Sequence, residues 1–430
     1  MWPPLTNAMQ HPAFGRVEAA AVLNQRLKHA SLPDALFIAG VVAMALQSTQ
    51  IGPFLPPHIW LLITLPCLVV RGPDTVSGVE KWTFLIFISY ATIATIFGDD
   101  DRVKQYSQII KFTIVYPGFF CLGRYYGARY VTDSLPLSYI YLFLLLAVEV
   151  VIQNAEPAWL YTRLEFAEGA LHGTFKERNW LADYFFLYSY IIYENSKSTG
   201  KQKILLFLVL NLVVMVLSGS KTAMAACALA IAVRPSAHRG MRLFAVVIGA
   251  ALYAWTFADQ FSQDQLNVRL DEERGPAFEE ATNLIYARPF GYGFGFVEAY
   301  FQSLPYTIRG LGEGTNSVFS VPLDLLIIAG PIGLSAWAVF FAGLGTGSFS
   351  VLAPVAALSL LNPLHQAESI YFFVAMLISV HAHKAGHLRA PASRALLRRR
   401  PPVGGESAGC SARDLRILGV FENGGSIGRR

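Results

Sequence analysis

The residues best suited to chemistry in this sequence are cations at the edges of apolar runs. Lys221 lies in Leu217-Ser-Gly-Ser-Lys-Thr222, a polar break between two such runs. A lone ammonium at a membrane boundary either snorkels to the interface or holds a fixed positive charge against an anionic head group. The residues alone leave both interpretations of Lys221 open.

A second group of cations lies in the stretch 259–316, where four arginines stand among nine acidic residues, a net charge of −5. A loop that bound phosphate by bulk charge would not be acidic. Phosphate binding would therefore depend on individually placed guanidinium groups, whose planar forks suit bidentate contacts. The acidic residues could orient these arginines, or one could act as a base. The arginines are Arg269, Arg274, Arg288 and Arg309.

Arg288 also opens the most unusual segment, Arg288-Pro-Phe-Gly-Tyr-Gly-Phe-Gly-Phe296. Alternating glycine and aromatic residues permit close backbone approach and offer flat stacking surfaces. Such a segment suits either a carbohydrate platform or a tight interfacial turn. Its glycines are not a dinucleotide fingerprint, because no strand–turn–helix unit surrounds them.

Composition indicates which elements must position these residues. Of the 430 residues, 54% are apolar and 15% are charged, with a mean hydropathy of +0.43. A soluble domain usually has about 25% charged residues. The figures exclude a disordered, fibrous or ordinary soluble chain and predict an all-α polytopic membrane protein. Four cysteines without a CxxC pair or a His/Cys cluster predict neither a disulfide framework nor a metal site.

Apolar runs predict about twelve transmembrane helices, since each needs ~20 residues to cross the bilayer core. We expect an N-terminal segment over 1–32, spans 1–9 over 33–258, a loop over 259–316, spans 10–12 over 317–383 and a disordered tail over 384–430. Pro331 and its neighbouring glycines predict a kink in span 10. The runs are 33–51, 54–70, 82–98, 108–127, 136–153, 180–193, 203–218, 222–233, 241–258, 317–345, 349–362 and 368–383.

The distribution of lysine and arginine predicts the orientation of these spans. The tail has ten basic and three acidic residues, a net charge of +7, and the positive-inside rule therefore places both termini in the cytoplasm. Loops 154–179 and 259–316 then lie outside and would hold the extracytoplasmic chemistry. The tail suits anionic lipid. A nucleic-acid partner is not expected, because neither a recognition fold nor interleaved aromatic residues accompany the charges.

Three segments carry a family resemblance. Gly173-Thr-Phe175 with Asn179-Trp-Leu-Ala182 is similar to a Gly-x-Phe…Asn-x-x-Ala pattern, and Leu217–Thr222 is similar to Leu-Ser-x-Ser-Arg. Arg274-Gly-Pro-Ala-Phe278, followed by Pro289, Gly291 and Gly293, is similar to Arg-x-x-x-Trp…Pro-x-x-Gly-x-Gly. In this order the segments resemble the O-antigen ligase and O-antigen polymerase family of bacterial envelope proteins.

The resemblance implies a reaction at the outer face of the bacterial inner membrane. A glycan would pass from a polyprenyl diphosphate donor to a sugar hydroxyl on a glycan or lipid-linked acceptor, without a metal or other cofactor. The leaving diphosphate needs cations, and the acceptor hydroxyl needs a base. The implied partners are the donor, the acceptor and the lipid bilayer.

The resemblance also assigns roles. Lys221 takes the place of a family arginine and keeps its charge but not its bidentate fork. Arg274 is the leading candidate for contact with the diphosphate, together with Lys221. The implied substrate-binding residues are Arg269, Arg288, Arg163, Asn179 and Asn316.

The departure from the family pattern concerns the base. Thr315 stands where the ligases carry a histidine, and threonine is not a general base at neutral pH. Glu313 is the nearest candidate for the base, with His172 and His365 further along the chain in either direction. The missing histidine favours a polymerase over a lipopolysaccharide ligase.

A multi-span transporter or flippase is the alternative from another functional class, and a non-catalytic membrane protein is a third. Transporters tend to show internal repeats and ionisable groups near the membrane midplane. The two halves of this chain show no convincing repeat. Its intramembrane candidates, Lys111, Glu149 and Asp324, are scattered in sequence, and Asp183 falls near a helix start. These features favour glycan transfer.

Overall fold

The protein, seen in a computed structural model, is helical over nearly all of its described residues. The chain divides into units 1–384 and 385–430, and the description concerns the first. Within the described ranges no strand occurs beyond an isolated bridge at Phe54, which confirms the all-α prediction for them. The ranges are 32–47, 49, 54–71, 76–97, 102–129, 139–155, 170–175, 178–195, 201–233, 240, 243, 246–247, 250–251, 274–304, 318, 320–342, 349–362 and 364–382.

Within the described residues, short turns connect several of the helices. They are α1 (Leu32–Ala45), α2 (Pro56–Arg71), α3 (Gly78–Ile96), α4 (Arg102–Ile110), a π-helical segment (Lys111–Val115), α5 (Tyr116–Arg129), α6 (Tyr139–Ala155), α7 (Arg178–Asn195), α8 (Lys201–Ser218), α9 (Lys221–Val233), α10 (Arg274–Ala287), α11 (Phe296–Ser303), α12 (Val321–Ala342), α13 (Phe349–Leu361), a 3₁₀ turn (Leu364–Gln366) and α14 (Glu368–Ala382).

Most of these helices coincide with predicted apolar runs, and most of the run 241–258 lies outside the described residues. The run 203–218 corresponds to α8, for example, and the run 108–127 to α4, the π-helical segment and α5. The helices α10 and α11 instead lie within the predicted loop 259–316. By length and composition α3 and α12 qualify as membrane spans among the described helices, and shorter apolar helices lie in α1, α6, α8, α9, α13 and α14. The number of spans and the domain boundaries stay predictions.

The predicted kink in span 10 is confirmed in α12. Gly330 interrupts the helix with φ 59° and ψ −171°, directly before Pro331. Proline has no N–H to donate to the carbonyl one turn earlier, so the Ile327 carbonyl loses its helical partner. The break thus leaves backbone acceptors inside the bundle that another segment must satisfy.

The centre of the bundle is formed by α7 and α14. Every residue from Leu181 to Asn195 is buried, which is expected of a helix with neighbours on all sides. Tyr188 stacks on Phe373 of α14 with ring centroids 5.3 Å apart, and Tyr184 meets the same ring edge-on at 5.1 Å. These large aromatic rings hold α7, and with it the start of the helix, in a fixed place.

One end of the bundle contains the helix ends that the predicted topology places outside the cytoplasm, and several contacts connect them. We call it the site end. It contains the ends of five helices, α1, α3, α6, α8 and α13, and the first turns of four others, α7, α9, α12 and α14. The residues that make the contacts are Ala45, Thr95, Gln153, Leu217, Asn362, Asp183, Thr222, Asp324 and Glu368.

The opposite end has an ion pair of its own. Glu80 completes a capping box with Ser77 at the start of α3, and its carboxylate lies 3.1 Å from the Arg124 guanidinium near the end of α5. The Ser379 hydroxyl of α14 donates to the Arg124 carbonyl at 3.1 Å. Different polar groups therefore stabilise the two ends of the bundle.

Candidate functional site

The turn before α7 is held by a glutamine of α6. Oε1 of Gln153 accepts the backbone N–H groups of His172 at 2.7 Å and Gly173 at 3.0 Å, and its Nε2 donates to the Ala170 carbonyl at 3.0 Å. One side chain thus satisfies three backbone groups in a segment that is not helical. The first motif therefore enters α7 along a fixed path.

Glu149, one turn earlier in α6, holds the next residue of that motif. Its Oε2 accepts the Thr174 N–H at 2.6 Å, and its Oε1 lies 2.9 Å from the Thr174 hydroxyl, which also reaches the Ala45 carbonyl at 2.8 Å. The sequence listed Glu149 among scattered intramembrane candidates, and the structure shows that its carboxylate supports the family-like turn.

The first two motifs meet at a backbone hydrogen bond. The Leu171 N–H donates to the Leu217 carbonyl at 2.8 Å, which brings the turn before α7 to the turn between α8 and α9. In that second turn Gly219 has φ +67°, and a Cβ built on it would lie 3.5 Å from Nη1 of Arg178. The Arg178 guanidinium therefore flanks the turn that leads into Lys221.

The same turn is buried and internally bonded. The Gly219 N–H donates to the Met215 carbonyl at 2.7 Å, and the Ser220 N–H donates to the Ser218 hydroxyl at 3.2 Å. Both serine side chains are buried. Lys221 is the first residue of α9 and is half-buried. The lysine thus starts from a rigid turn, at the positively polarised end of its helix.

A buried polar cluster ties α7, α9 and α13 together just behind this turn. The Asn362 amide donates to the Asp183 carboxylate at 3.1 Å and to the Thr222 hydroxyl at 3.0 Å. The hydroxyls of Thr222 and Ser220 lie 3.4 Å apart. Asn179, a predicted substrate-binding residue, is half-buried one turn before Asp183. The structure therefore places Asn179 and Lys221 on neighbouring helix starts.

The two histidines weighed as bases are buried in structural positions. His365 is 1% exposed, packs near Phe112 and lies 3.4 Å from the Asp324 carboxylate, which is long for a hydrogen bond. Burial lowers the pKa of His365 to about 3, so the ring is neutral near pH 7. Burial also lowers the pKa of His172, whose Nδ1 lies 3.1 Å from the Gly173 carbonyl. Both rings are buried in the folded protein.

The glycine–aromatic segment docks into the break of α12. The N–H groups of Tyr292 and Gly293 donate to the carbonyls of Ile327 at 2.7 Å and Ile328 at 2.8 Å, which are acceptors exposed by the break. Gly293 has φ +94°, and a Cβ there would lie 2.4 Å from Cα of Thr95. The sequence left open whether the segment forms a carbohydrate platform or a tight turn. These contacts show a tight turn in this part of the segment.

Two side chains show how firmly the turn is packed. Phe294 is fully buried, and its N–H donates to the Thr95 hydroxyl at 2.8 Å. Arg288 donates to the Phe97 carbonyl at 3.1 Å and lies 5.4 Å from the centroid of the Tyr292 ring. Arg288 therefore contacts the end of α3.

Of the remaining predicted site residues, Arg274 alone lies in a described helix. Arg274 is the first residue of α10, which packs on α12. Arg163, Arg269, Glu313, Thr315 and Asn316 lie outside the described residues, as do the tail 384–430 and residues 1–31. Their roles stay predictions. Within the described ranges no cluster of histidine, cysteine, aspartate or glutamate could hold a metal ion.

Three residues at the site end were given no role in the site from the sequence alone. Arg178 immediately precedes Asn179 of the first motif, and Asp183 follows it by one helical turn, so helical spacing could have suggested both. Asn362 gave no such signal, because it lies far along the chain from both of its partners.

The second and third motifs fall within one family match. Residues 206–338 match the family model described as O-antigen ligase. This match confirms the predicted resemblance for that segment, which contains Lys221, Arg274 and the glycine–aromatic turn. A search of curated proteins finds no match to the chain.

The O-antigen ligase segment covers less than a third of the chain, and the first motif lies outside it. The structure nevertheless attaches the first motif to the segment through Leu171 and Leu217. The match supports a membrane enzyme that transfers glycans. Cations at two adjacent helix starts suit such an enzyme, because they can stabilise a phosphate group that gains negative charge.

Proposed function

We propose that the protein transfers a glycan from a polyprenyl diphosphate donor to an acceptor sugar hydroxyl at the outer face of the inner membrane. The observation that carries this proposal is the hydrogen bond between Leu171 and Leu217, of which Leu217 lies in the matched segment. This bond sets Arg178 and Lys221 beside one buried turn. Both termini are proposed to be cytoplasmic, so that the site end faces outward.

The two cations would act on the leaving diphosphate. When the bond between sugar and phosphate breaks, the bonding electron pair stays with the phosphate oxygen and negative charge grows there. Arg178 begins α7 and Lys221 begins α9, so each charge adds to the positive end of a helix dipole. Among the described residues no carboxylate forms an ion pair with Arg178.

The acceptor side of the reaction is proposed from residues near α10 and α12. Arg274 would contact the diphosphate as a further cation, with Arg269 as the alternative and Arg288 in support. Glu313 would take the proton of the acceptor hydroxyl, since His172 and His365 are buried and neutral. Arg163, Asn179 and Asn316 would bind substrate, and no metal or cofactor is required.

The placement of the buried acids supports glycan transfer over transport. Asp183 and Asp324 lie within the first two turns of α7 and α12, and Glu149 accepts hydrogen bonds from the turn before α7. A transporter of the expected kind would place ionisable groups near the midplane. We also propose a polymerase rather than a ligase, because Thr315 replaces the ligase histidine.

A deletion strain tests the reaction class. Accumulated single repeat units on the lipid carrier would indicate a polymerase, whereas accumulated long chains on the carrier would indicate a ligase. Normal carrier-linked glycan with altered flux of a solute would contradict the proposal and favour a transporter.

Two variants then test the proposed roles in α10 and before α12. Arg274→Ala is expected to abolish the product while the protein inserts normally, and Glu313→Gln is expected to do the same if Glu313 is the base. Wild-type product from either variant would remove that residue from the mechanism. The matched control is Lys203→Ala, which removes a cation near the start of α8, away from the site end.

A further inference from the structure

Asn362 occupies the junction between α13 and the 3₁₀ turn, where it is 2% exposed. Its Nδ2 lies 3.1 Å and 3.3 Å from the two Asp183 carboxylate oxygens and 3.0 Å from the Thr222 hydroxyl oxygen. A primary amide has two N–H donors, so one can serve the carboxylate and the other the hydroxyl. The side chain thus uses its full donor capacity to bridge two helices.

The two helices bridged are those that begin with the proposed cations. Asp183 lies in the second turn of α7, which starts at Arg178, and Thr222 directly follows Lys221 at the start of α9. We infer that Asn362 is a positioning residue, which fixes the first turn of α9 against α7 and so sets where Lys221 meets the donor diphosphate. This inference rests on the proposed function.

The physical reason is the accuracy that charge stabilisation demands. A displacement of about 1 Å can cost on the order of 100-fold in rate when a group must meet a transition state. Thr222 and Ser220 belong to the turn that carries Lys221, and their hydroxyls are close to one another. Loss of the Asn362 amide would free this turn and remove one donor from a buried carboxylate.

A double-mutant cycle separates positioning from mere stability. The purified full-length protein in liposomes is given the polyprenyl-diphosphate-linked glycan that accumulates in the deletion strain, and kcat and KM are measured per folded molecule. Asn362→Ala is expected to lower kcat by about tenfold or more. In a Lys221→Ala background, where kcat is already low, the same change should cost less than about twofold, because it acts through Lys221.

The matched control is Asn211→Ala in α8. Asn211 is also a buried amide, which donates to the Ser189 hydroxyl at 3.0 Å and the Phe207 carbonyl at 2.8 Å, but it lies within the bundle away from the site end. Its loss should lower thermal stability and leave kcat per folded molecule unchanged. An equal fall of kcat in both asparagine variants would overturn the inference.

An exchange variant keeps the test decisive if Asn362→Ala fails to fold. In the pair Asp183→Asn with Asn362→Asp, the amide donates from the other side and the Thr222 hydroxyl turns from acceptor to donor. We expect this variant to recover kcat to within about threefold of wild type. An exchange variant that folds but stays inactive would overturn the positioning role of Asn362.

The outcomes also distinguish this inference from the proposed function. Full activity in Lys221→Ala would contradict the proposed role of Lys221. Loss of activity in Lys221→Ala, with wild-type kcat in Asn362→Ala, or with additive effects in the double variant, would overturn the positioning role alone.

Discussion

The backbone N–H of Leu171 donates to the carbonyl of Leu217 at 2.8 Å. This bond joins the turn before α7 to the turn between α8 and α9. It makes one structural unit of two sequence motifs that belong to different parts of the chain. The unit carries Arg178 and Lys221, and the account of function depends on its geometry.

Gly219→Ala should disturb this unit directly. The left-handed φ of +67° disfavours any side chain, with a cost of roughly 1–2 kcal/mol, and the new methyl group would lie 3.5 Å from Arg178 Nη1. We expect lower thermal stability in detergent and a fall in transfer rate of about tenfold. The control is Gly78→Ala at the start of α3, where a Cβ would meet nothing within 4 Å. Equal behaviour of the two variants would argue against a special role for the turn.

Glu149→Gln should be tolerated, which separates a structural acid from a proton carrier. The glutamine Oε1 can accept the Thr174 N–H, and its amide can donate to the Thr174 hydroxyl, which then donates to Ala45. Glu149→Ala leaves the buried Thr174 N–H without its acceptor and should cost about 1–3 kcal/mol. Thermal melts and transfer assays check both. A stable but inactive Glu149→Gln would contradict the structural role and favour proton-coupled transport.

The stability of the protein should fall in acid because of His365. Burial lowers the pKa of His365 in the folded protein to about 3, whereas an unfolded histidine titrates near its ordinary 6.5. The unfolded chain therefore binds the extra proton first, and stability is lost as pH falls below about 6.5. Melting temperatures at pH 7 and pH 5 should differ less in His365→Asn than in wild type. A pH dependence that is unchanged in His365→Asn would show that other groups dominate.

The sequence could predict where helices lie but not which helix ends meet. Hydropathy shows which segments of the sequence are apolar, and so the runs 203–218 and 222–233 match α8 and α9 closely. The break in α12 was also predictable, because Pro331 removes a backbone donor. Asn362 was beyond prediction, because its partners Asp183 and Thr222 reach it only through the packing of three helices.

The buried acids show the same limit. Glu149 and Asp324 looked scattered in sequence because their separation along the chain hides their shared place at the site end. Arg178 could have been found, since it directly precedes the Asn179 motif. The glycine–aromatic segment was left as platform or turn, and only its hydrogen bonds to Ile327 and Ile328 decide for the turn.

The most direct measurement is glycan transfer by purified protein in liposomes, with wild type, Arg178→Ala, Lys221→Ala and the control Lys203→Ala. We predict that wild type and Lys203→Ala transfer the carrier-linked glycan at similar rates. Each site variant should lose at least about 100-fold, on the scale of other groups that stabilise developing negative charge. Wild-type rates in both site variants, correctly inserted, would contradict the claim that this junction is the donor site.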